Sequence, residues 1–338
     1  MKLVSFLNNS EERLGLFNHN KIYDLQNSGR GLNIVLPSTM AKYLNEFEIL
    51  FRQAKKVDDA IKSEKIKSGF EKEKIRLLAP VPHPTSCRDG YAFRQHVATA
   101  RRNRGVDMIP EFDQYPVFYM TNHNAIFGEG DILVEKDHLE KLDFELEVAI
   151  VIGKRGKNIG VRDADSHIAG YMVMNDLSAR VLQMEEMKLN LGPAKGKDFA
   201  TVIGPWLVTT DELEKYKIET PVGNKYDLQM TAFHNGKLIS DGNMKDMDWT
   251  FAELIERASY GVEIYPGDVI GSGTVGTGCY LELNGTHALE AKAQGKEFTP
   301  VWLKEGDTIE LEITGLGKLS NKIVKATKDY SILAKKKI

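Results

Sequence analysis

Two acids spaced two apart, Glu145 and Glu147, interrupt a run that otherwise reads as buried β-strand, DFELEVAIVIG at 143–153. Side chains alternate faces along a strand, so both carboxylates point the same way, about 7 Å apart. A buried carboxylate is costly unless it is paired or coordinates a metal, and two on one face suit a divalent cation with oxygen ligands. The spacing equally fits a half-solvated strand in which Leu146, Val148 and Ile150 face the core and both acids face water. A second acidic cue is NDLSARVLQ at 175–183, directly after an apolar strand ending at Met174. It reads as a helix start with Asn175 or Asp176 as N-cap. On that helix Asp176, Arg180, Gln183 and Met187 share one face, which could line a cleft or simply carry a surface Asp/Arg pair. A third cue, RDGYAFRQH at 88–96, places Asp89, Tyr91 and His96 close together. His96 suits a general base, although most histidines are structural; Asp89 could add an oxygen ligand.

The elements that must position these residues fall into two parts. Residues 1 to about 30 alternate short apolar runs with turns, the pattern of a β-meander. From Pro37 to about Lys74 the texture is helical, with Tyr43, Leu44, Phe47, Leu50 and Phe51 at helical spacing and a Lys/Glu-rich second helix behind them. The segment IRLLAPVPHPT at 75–85 runs from a short strand into three prolines, which suits a connector. A boundary near 78 therefore divides a small N-terminal domain, 1–78, from a catalytic domain, 79–338. Beyond it, strand signals dominate at 149–153, 169–174, 201–208, 267–271, 280–283 and 308–313, and helices look few and short. There is no βαβ alternation. The Gly-rich GSGTVGTG at 271–278 lacks the Lys-Ser/Thr of a phosphate-binding loop, so it is not read as a nucleotide site.

Composition excludes several classes of function. The 338 residues carry 45 Lys+Arg against 48 Asp+Glu, a net charge of −3, which offers no general field for nucleic acid or an anionic membrane. No apolar run is long enough for a signal peptide core or a membrane span. Cys87 and Cys279 are too few for a disulfide framework and lack C-x-x-C spacing for zinc, so a reducing cytoplasmic setting is expected. The basic end AKKKI at 334–338 reads as a solvated terminus.

Taken in order, RDGYAFRQH, FELEVA, MNDLSARVLQ, GKDFAT, SGTVG and YLEL resemble the fumarylacetoacetate hydrolase family over about residues 80 to 330. The first 75 or so residues resemble its small N-terminal domain only loosely. The resemblance implies an α+β, mostly β fold, with a mixed β-roll or sandwich catalytic domain behind a small β-rich one. It also implies a homodimer, and a part in aromatic amino acid catabolism. Asp89, Glu145, Glu147 and Asp176 match the family's metal ligands, and four carboxylates suit Mg²⁺, Ca²⁺ or Mn²⁺ rather than zinc. His96 matches the catalytic histidine and Glu282 the glutamate that orients it. Lys197, Arg180 and Gln183 match donors to the developing negative charge, while Tyr91, Tyr119 and Thr274 match substrate contacts. The activity implied is hydrolysis of a carbon–carbon bond in a fumarylacetoacetate-like or acylpyruvate-like diketo acid. A 2-oxo acid decarboxylase, hydratase or isomerase is the alternative, and a binding module with structural Ca²⁺ is a third reading. Departures concern substrate recognition: Met187 replaces a tyrosine, Met120-Thr-Asn122 replaces His-Gly-Arg, and the basic residue expected downstream of His96 is ambiguous among Arg101, Arg102 and Arg104.

Overall fold

In the computed structural model, which describes residues 1–335, two β-sheets organise the chain. The last three residues of the basic end, 336–338, lie outside the described residues. The expected meander is present: Lys2–Asn8, Glu11–Asn18 and Lys21–Asp24 pair antiparallel in chain order. Asn9, Ser10, His19 and Asn20 all take positive φ, so each connection is a two-residue turn of the hand that matches strand twist. Lys2–Asn8 then pairs with Thr201–Thr209, which carries a single twelve-stranded sheet across the connector. That sheet continues through Ile168–Asp176, Leu146–Ile152, Val269–Gly271 and Cys87–Gly90 to Phe118–Thr121. Along this path only the pairing of Val269–Gly271 with Cys87–Gly90 is parallel.

The central strand is buried on both faces. Leu146, Val148, Ile150 and Ile152 enter the larger core, shared with Met230, Ala232, Leu311 and Leu319 of the five-stranded second sheet. Ala149 and Val151 enter a separate core with Leu50, Ala54, Val57 and Ile61 of the Phe47–Lys62 helix. Two covered faces explain why this strand reads as a nearly unbroken apolar run instead of an alternating one. The reading with Glu145 and Glu147 facing water does not hold: both are buried, on the face of Ala149 and Val151.

Two sequence expectations are corrected. The segment at 175–183 does not begin a helix at Asn175 or Asp176; the strand runs to Asp176 and the helix is Arg180–Glu186. Asn175 and Asp176 could not cap it, because their side chains serve elsewhere: Asn175 Oδ1 accepts from the Glu145 amide at 2.9 Å and Asp176 Oδ2 accepts from Lys197 at 2.6 Å. The YLEL segment at 280–283 is not a strand but the start of a fourteen-residue helix, Tyr280–Ala293. Its first amides, Tyr280 and Leu281, donate to Asp143 at 2.7 and 2.9 Å, a cap supplied from 137 positions away and invisible to local pattern.

Strand register is held where glycine lets backbones close. A Cβ at Gly170 would lie 2.4 Å from the Val208 carbonyl oxygen of the neighbouring strand. Gly170→Ala should therefore destabilise the chain by about 1–3 kcal/mol, since overpacking against backbone has no side chain to move aside. Thermal unfolding checks this; an unchanged midpoint would contradict the packing described.

Candidate metal centre

Four carboxylates meet at one end of the central strands. Asp89, Glu145, Glu147 and Asp176 each present an oxygen within 4.8 Å of the others, and all four are buried. Strand register explains the convergence. Gly271 pairs with Asp89 on one side and Ala149 on the other, and Leu146 pairs with Asn175 one place before Asp176. Gly271 leaves the floor open, because a Cβ there would stand 2.4 Å from Asp89 Oδ1 and 2.8 Å from Met174 Sδ.

The electrostatics fit a cation. Burial first, and the Asp176 charge second, push the Asp89 carboxyl from 3.8 up to about 7. Burial and then Asp89 push Glu147 well above the ordinary carboxylate value. Burial also raises Asp176, with Lys197 opposing. Glu145 goes the other way: burial raises it, but Lys197 and Arg180 outweigh burial and hold it at about 2. Glu147 Oε2 and Asp176 Oδ1 are buried with no hydrogen-bond partner, so two oxygens are left for a ligand. An all-oxygen donor set with uncompensated negative charge fits Mg²⁺, Mn²⁺ or Ca²⁺.

Two side-chain cations brace the acids. Lys197 Nζ lies 2.5 Å from Glu145 Oε2 and 2.6 Å from Asp176 Oδ2. Arg180 Nη2 donates to Glu145 Oε1 at 2.8 Å, its Nε to Asp143 Oδ2 at 2.8 Å, and its Nη1 to Gln183 Oε1 at 2.8 Å. Gln183 Oε1 being the acceptor leaves the amide NH₂ as the donor end. Tyr119 gives its hydroxyl to Asp176, and Thr274 Oγ1 donates to Glu147 Oε1 at 3.3 Å. Two of the three hydroxyls expected to contact substrate, those of Tyr119 and Thr274, are thus engaged with the acid cluster.

On the adjoining wall His96, from the Arg94–Asn103 helix, meets Glu282 in the first turn of Tyr280–Ala293, with Nδ1 and Oε2 2.6 Å apart. The other Glu282 oxygen accepts from the Thr277 amide at 3.0 Å, which fixes the carboxylate plane. The Tyr91 ring stands edge-on to His96, centroids 5.9 Å apart, and burial raises its phenol while Arg104 and then Arg101 lower it. Arg102 instead reaches Thr286 Oγ1 at 3.3 Å. Met187 and Met120 are exposed, and Asn122 bonds the Asp198 carbonyl at 3.1 Å.

Sequence reasoning passed over three contributors. Asp143, fully buried, joins Arg180 to the amides that open the Glu282 helix. Its signal was present, for Asp143 precedes Glu145 by the same two positions that separate Glu145 from Glu147. The other two are backbone groups in the glycine-rich stretch: the Gly273 amide donates to Asp89 Oδ1 at 3.0 Å, and the Thr277 amide serves Glu282. A cleft of about 400 Å³ between residues 76–84 and 123–131 is lined by none of the expected site residues. Charge convergence, not cavity size, locates this centre.

Residues 85–324 match the family model described as fumarylacetoacetate (FAA) hydrolase C-terminal. Over 320 residues the chain is 31% identical to oxaloacetate tautomerase YisK of Bacillus subtilis (strain 168), covering 90% of this chain and 93% of that protein. It is 30% identical over 292 residues to the mitochondrial oxaloacetate tautomerase FAHD2A of Homo sapiens, covering 86% and 81% respectively. The fold is similar to a structure of maleylpyruvate hydrolase from Sphingobium sp. SYK-6 in complex with manganese(II) and pyruvate. The TM-score there is 0.66 at 20% identity, covering 97% of this chain and all of that one.

Without a divalent cation, Asp89, Glu147 and Asp176 keep protons in the folded chain that an unfolded chain releases. The folded state then binds more protons, so this stability is complete below about pH 4 and lost as pH rises toward 7. Glu145 contributes oppositely, below that window. Chelator-treated protein should melt progressively lower from about pH 4.5 to 7. Mg²⁺ at a hundred times its Kd should restore about 2.7 kcal/mol at pH 7. Glu147→Gln should flatten the decline and abolish the Mg²⁺ gain; a full gain in that variant would contradict the assignment.

Proposed function

The chain belongs to the fumarylacetoacetate hydrolase family, and from that premise we propose that it is a divalent-metal-dependent hydrolase cleaving a carbon–carbon bond in an acylpyruvate-like or fumarylacetoacetate-like diketo acid. The observation that carries this reading is the buried His96–Glu282 pair, 2.6 Å apart, on the wall beside four converging carboxylates. Hydrolysis needs a base positioned for water as well as a charge centre for the substrate. A cation held by Asp89, Glu145, Glu147 and Asp176 would supply Lewis-acid polarisation of the substrate carbonyls.

The chain's own groups account for the remaining steps. Glu282 accepts from His96 Nδ1–H, which leaves Nε2 as the lone pair that takes a proton from water. Hydroxide adds to the distal carbonyl carbon. Its collapse breaks the carbon–carbon bond and leaves the electron pair on the 2-oxo fragment as an enolate, which a proton then quenches. We assign the stabilisation of that developing charge to Lys197, two of whose three ammonium hydrogens are directed at Glu145 and Asp176, and to Arg180 with Gln183.

Similarity to oxaloacetate tautomerases over most of the chain favours a second reading, keto–enol interconversion of a 2-oxo dicarboxylate. That reaction moves one proton between carbon and oxygen and needs no water attack, so the two readings separate at His96.

Purified protein with Mg²⁺ should consume acylpyruvates, read as loss of their ultraviolet absorbance. His96→Ala should lower kcat/KM by about 10²–10⁴-fold, the usual worth of a positioned base, while Mg²⁺ affinity stays the same. Unimpaired acylpyruvate cleavage in His96→Ala would refute the hydrolytic role. Fast oxaloacetate enol conversion with no acylpyruvate cleavage would establish the second reading instead.

A further inference from the structure

Beside the four carboxylates lies a second cluster of different chemistry. His96, Cys279 and Glu282 are all buried and present a ring nitrogen, a sulfur and a carboxylate oxygen within 4.8 Å of one another. Cys279 is the residue immediately before the Tyr280–Ala293 helix, and Glu282 lies in that helix's first turn, so one helix start fixes two of the three donors. The Arg94–Asn103 helix brings the third. The Glu282 amide faces the sulfur, but burial and then Asp143 push the Cys279 thiol well above its ordinary value, so a cation has to displace its proton. Cys87, the other cysteine, is buried elsewhere, in the core behind the sheet.

Imidazole, thiolate and carboxylate are the donors that zinc selects and that Mg²⁺ and Ca²⁺ reject at sulfur. Bonds of about 2.0–2.3 Å to tetrahedral zinc put ligand atoms roughly 3.3–3.8 Å apart, so donors standing up to 4.8 Å apart must close by about 1–1.5 Å, and His96 Nδ1 and Glu282 Oε2, 2.6 Å apart, must open if both bind. Three protein ligands also leave one position open for water or a substrate oxygen. We propose that His96, Cys279 and Glu282 form a second cation site, selective for Zn²⁺ or a similarly thiophilic divalent ion, whose filling switches the enzyme off.

Inhibition follows from the imidazole whichever ring nitrogen binds. Ligation through Nε2 consumes the lone pair that takes the proton from water. Ligation through Nδ1 leaves the remaining proton on Nε2 and turns the acceptor into a donor. In both cases the cation–sulfur bond replaces the S–H bond and one proton leaves to solvent, with no change of oxidation state. The inhibitory half rests on the role proposed for His96; the binding half does not.

Protein saturated with Mg²⁺ would be titrated with Co²⁺ and, separately, with Zn²⁺. Co²⁺ should produce a thiolate-to-cobalt charge-transfer absorption in the near ultraviolet, which disappears in Cys279→Ser and persists in Cys87→Ser. Zn²⁺ should cut acylpyruvate turnover by about 10²-fold, as loss of a base does. Extra Mg²⁺ should not restore that turnover, a chelator should, and Cys279→Ser should be active and insensitive to Zn²⁺. No charge-transfer band in the unsubstituted protein would overturn the site without need of a variant. Zn²⁺ inhibition that Mg²⁺ relieves, or that survives in Cys279→Ser, would place zinc on the four carboxylates and overturn the proposal. A Cys279-dependent band with undiminished turnover would confirm the site and refute the role given to His96.

Discussion

Four carboxylates held inside an otherwise apolar sheet are the constraint on which this structure depends. Each of Asp89, Glu145, Glu147 and Asp176 would be costly where it stands if it were ionised and alone. The fold answers that cost unevenly. Glu145 is neutralised by Lys197 and Arg180 and stays ionised, whereas Glu147 and Asp176 each keep an oxygen with no partner. An arrangement that satisfies one acid of the set and leaves its neighbours short of positive charge is organised for a ligand rather than for self-sufficiency. Paired acids alone would be stabilised more simply by apolar replacements of similar shape.

That imbalance propagates outward through shared partners. Arg180 is divided between Glu145 and Asp143, and Asp143 in turn receives the first amides of the helix that carries Glu282. Glu282 orients His96, and the glycine-rich stretch ties the two sides together by giving the Gly273 amide to Asp89 and the Thr277 amide to Glu282. The acid cluster and the His96–Glu282 pair are therefore parts of one hydrogen-bonded assembly and not two clusters that happen to adjoin. Buried networks of this kind are rigid where their members are satisfied, as along Arg180, Asp143 and Glu282, and the unpartnered oxygens of Glu147 and Asp176 mark where this one is open to a ligand.

Glu145, Glu147 and several of the strands around them were legible in the sequence because each depends on local spacing, whereas Asp89, Asp176 and His96 were joined to them only through the family resemblance. Glu145 and Glu147 stand out against an apolar strand, and the apolar runs at 149–153, 169–174 and 201–208 announce their strands. What remained hidden depends on distant partners. Tyr280–Ala293 is a helix because Asp143 caps it from another part of the chain, and YLEL alone alternates as a strand would. Asp176 looked like an N-cap because Asp is a good one, but Lys197 and Tyr119 claim its oxygens. Gly271 gave no signal at all, since the importance of an absent side chain shows only when Asp89 and Met174 stand opposite it. The two separate cores also could not be read in advance, because both are made of ordinary apolar residues and differ only in which sheet face they cover.

In the proposed enzyme the four carboxylates hold one hard divalent cation next to His96. Anomalous diffraction from a crystal soaked in Mn²⁺ tests it most directly, because the scatterer is located without reference to activity. One strong peak per chain is expected at about 2.0–2.3 Å from oxygens of Asp89, Glu145, Glu147 and Asp176. A peak elsewhere, or none while Lys197 alone bridges Glu145 and Asp176, would contradict it.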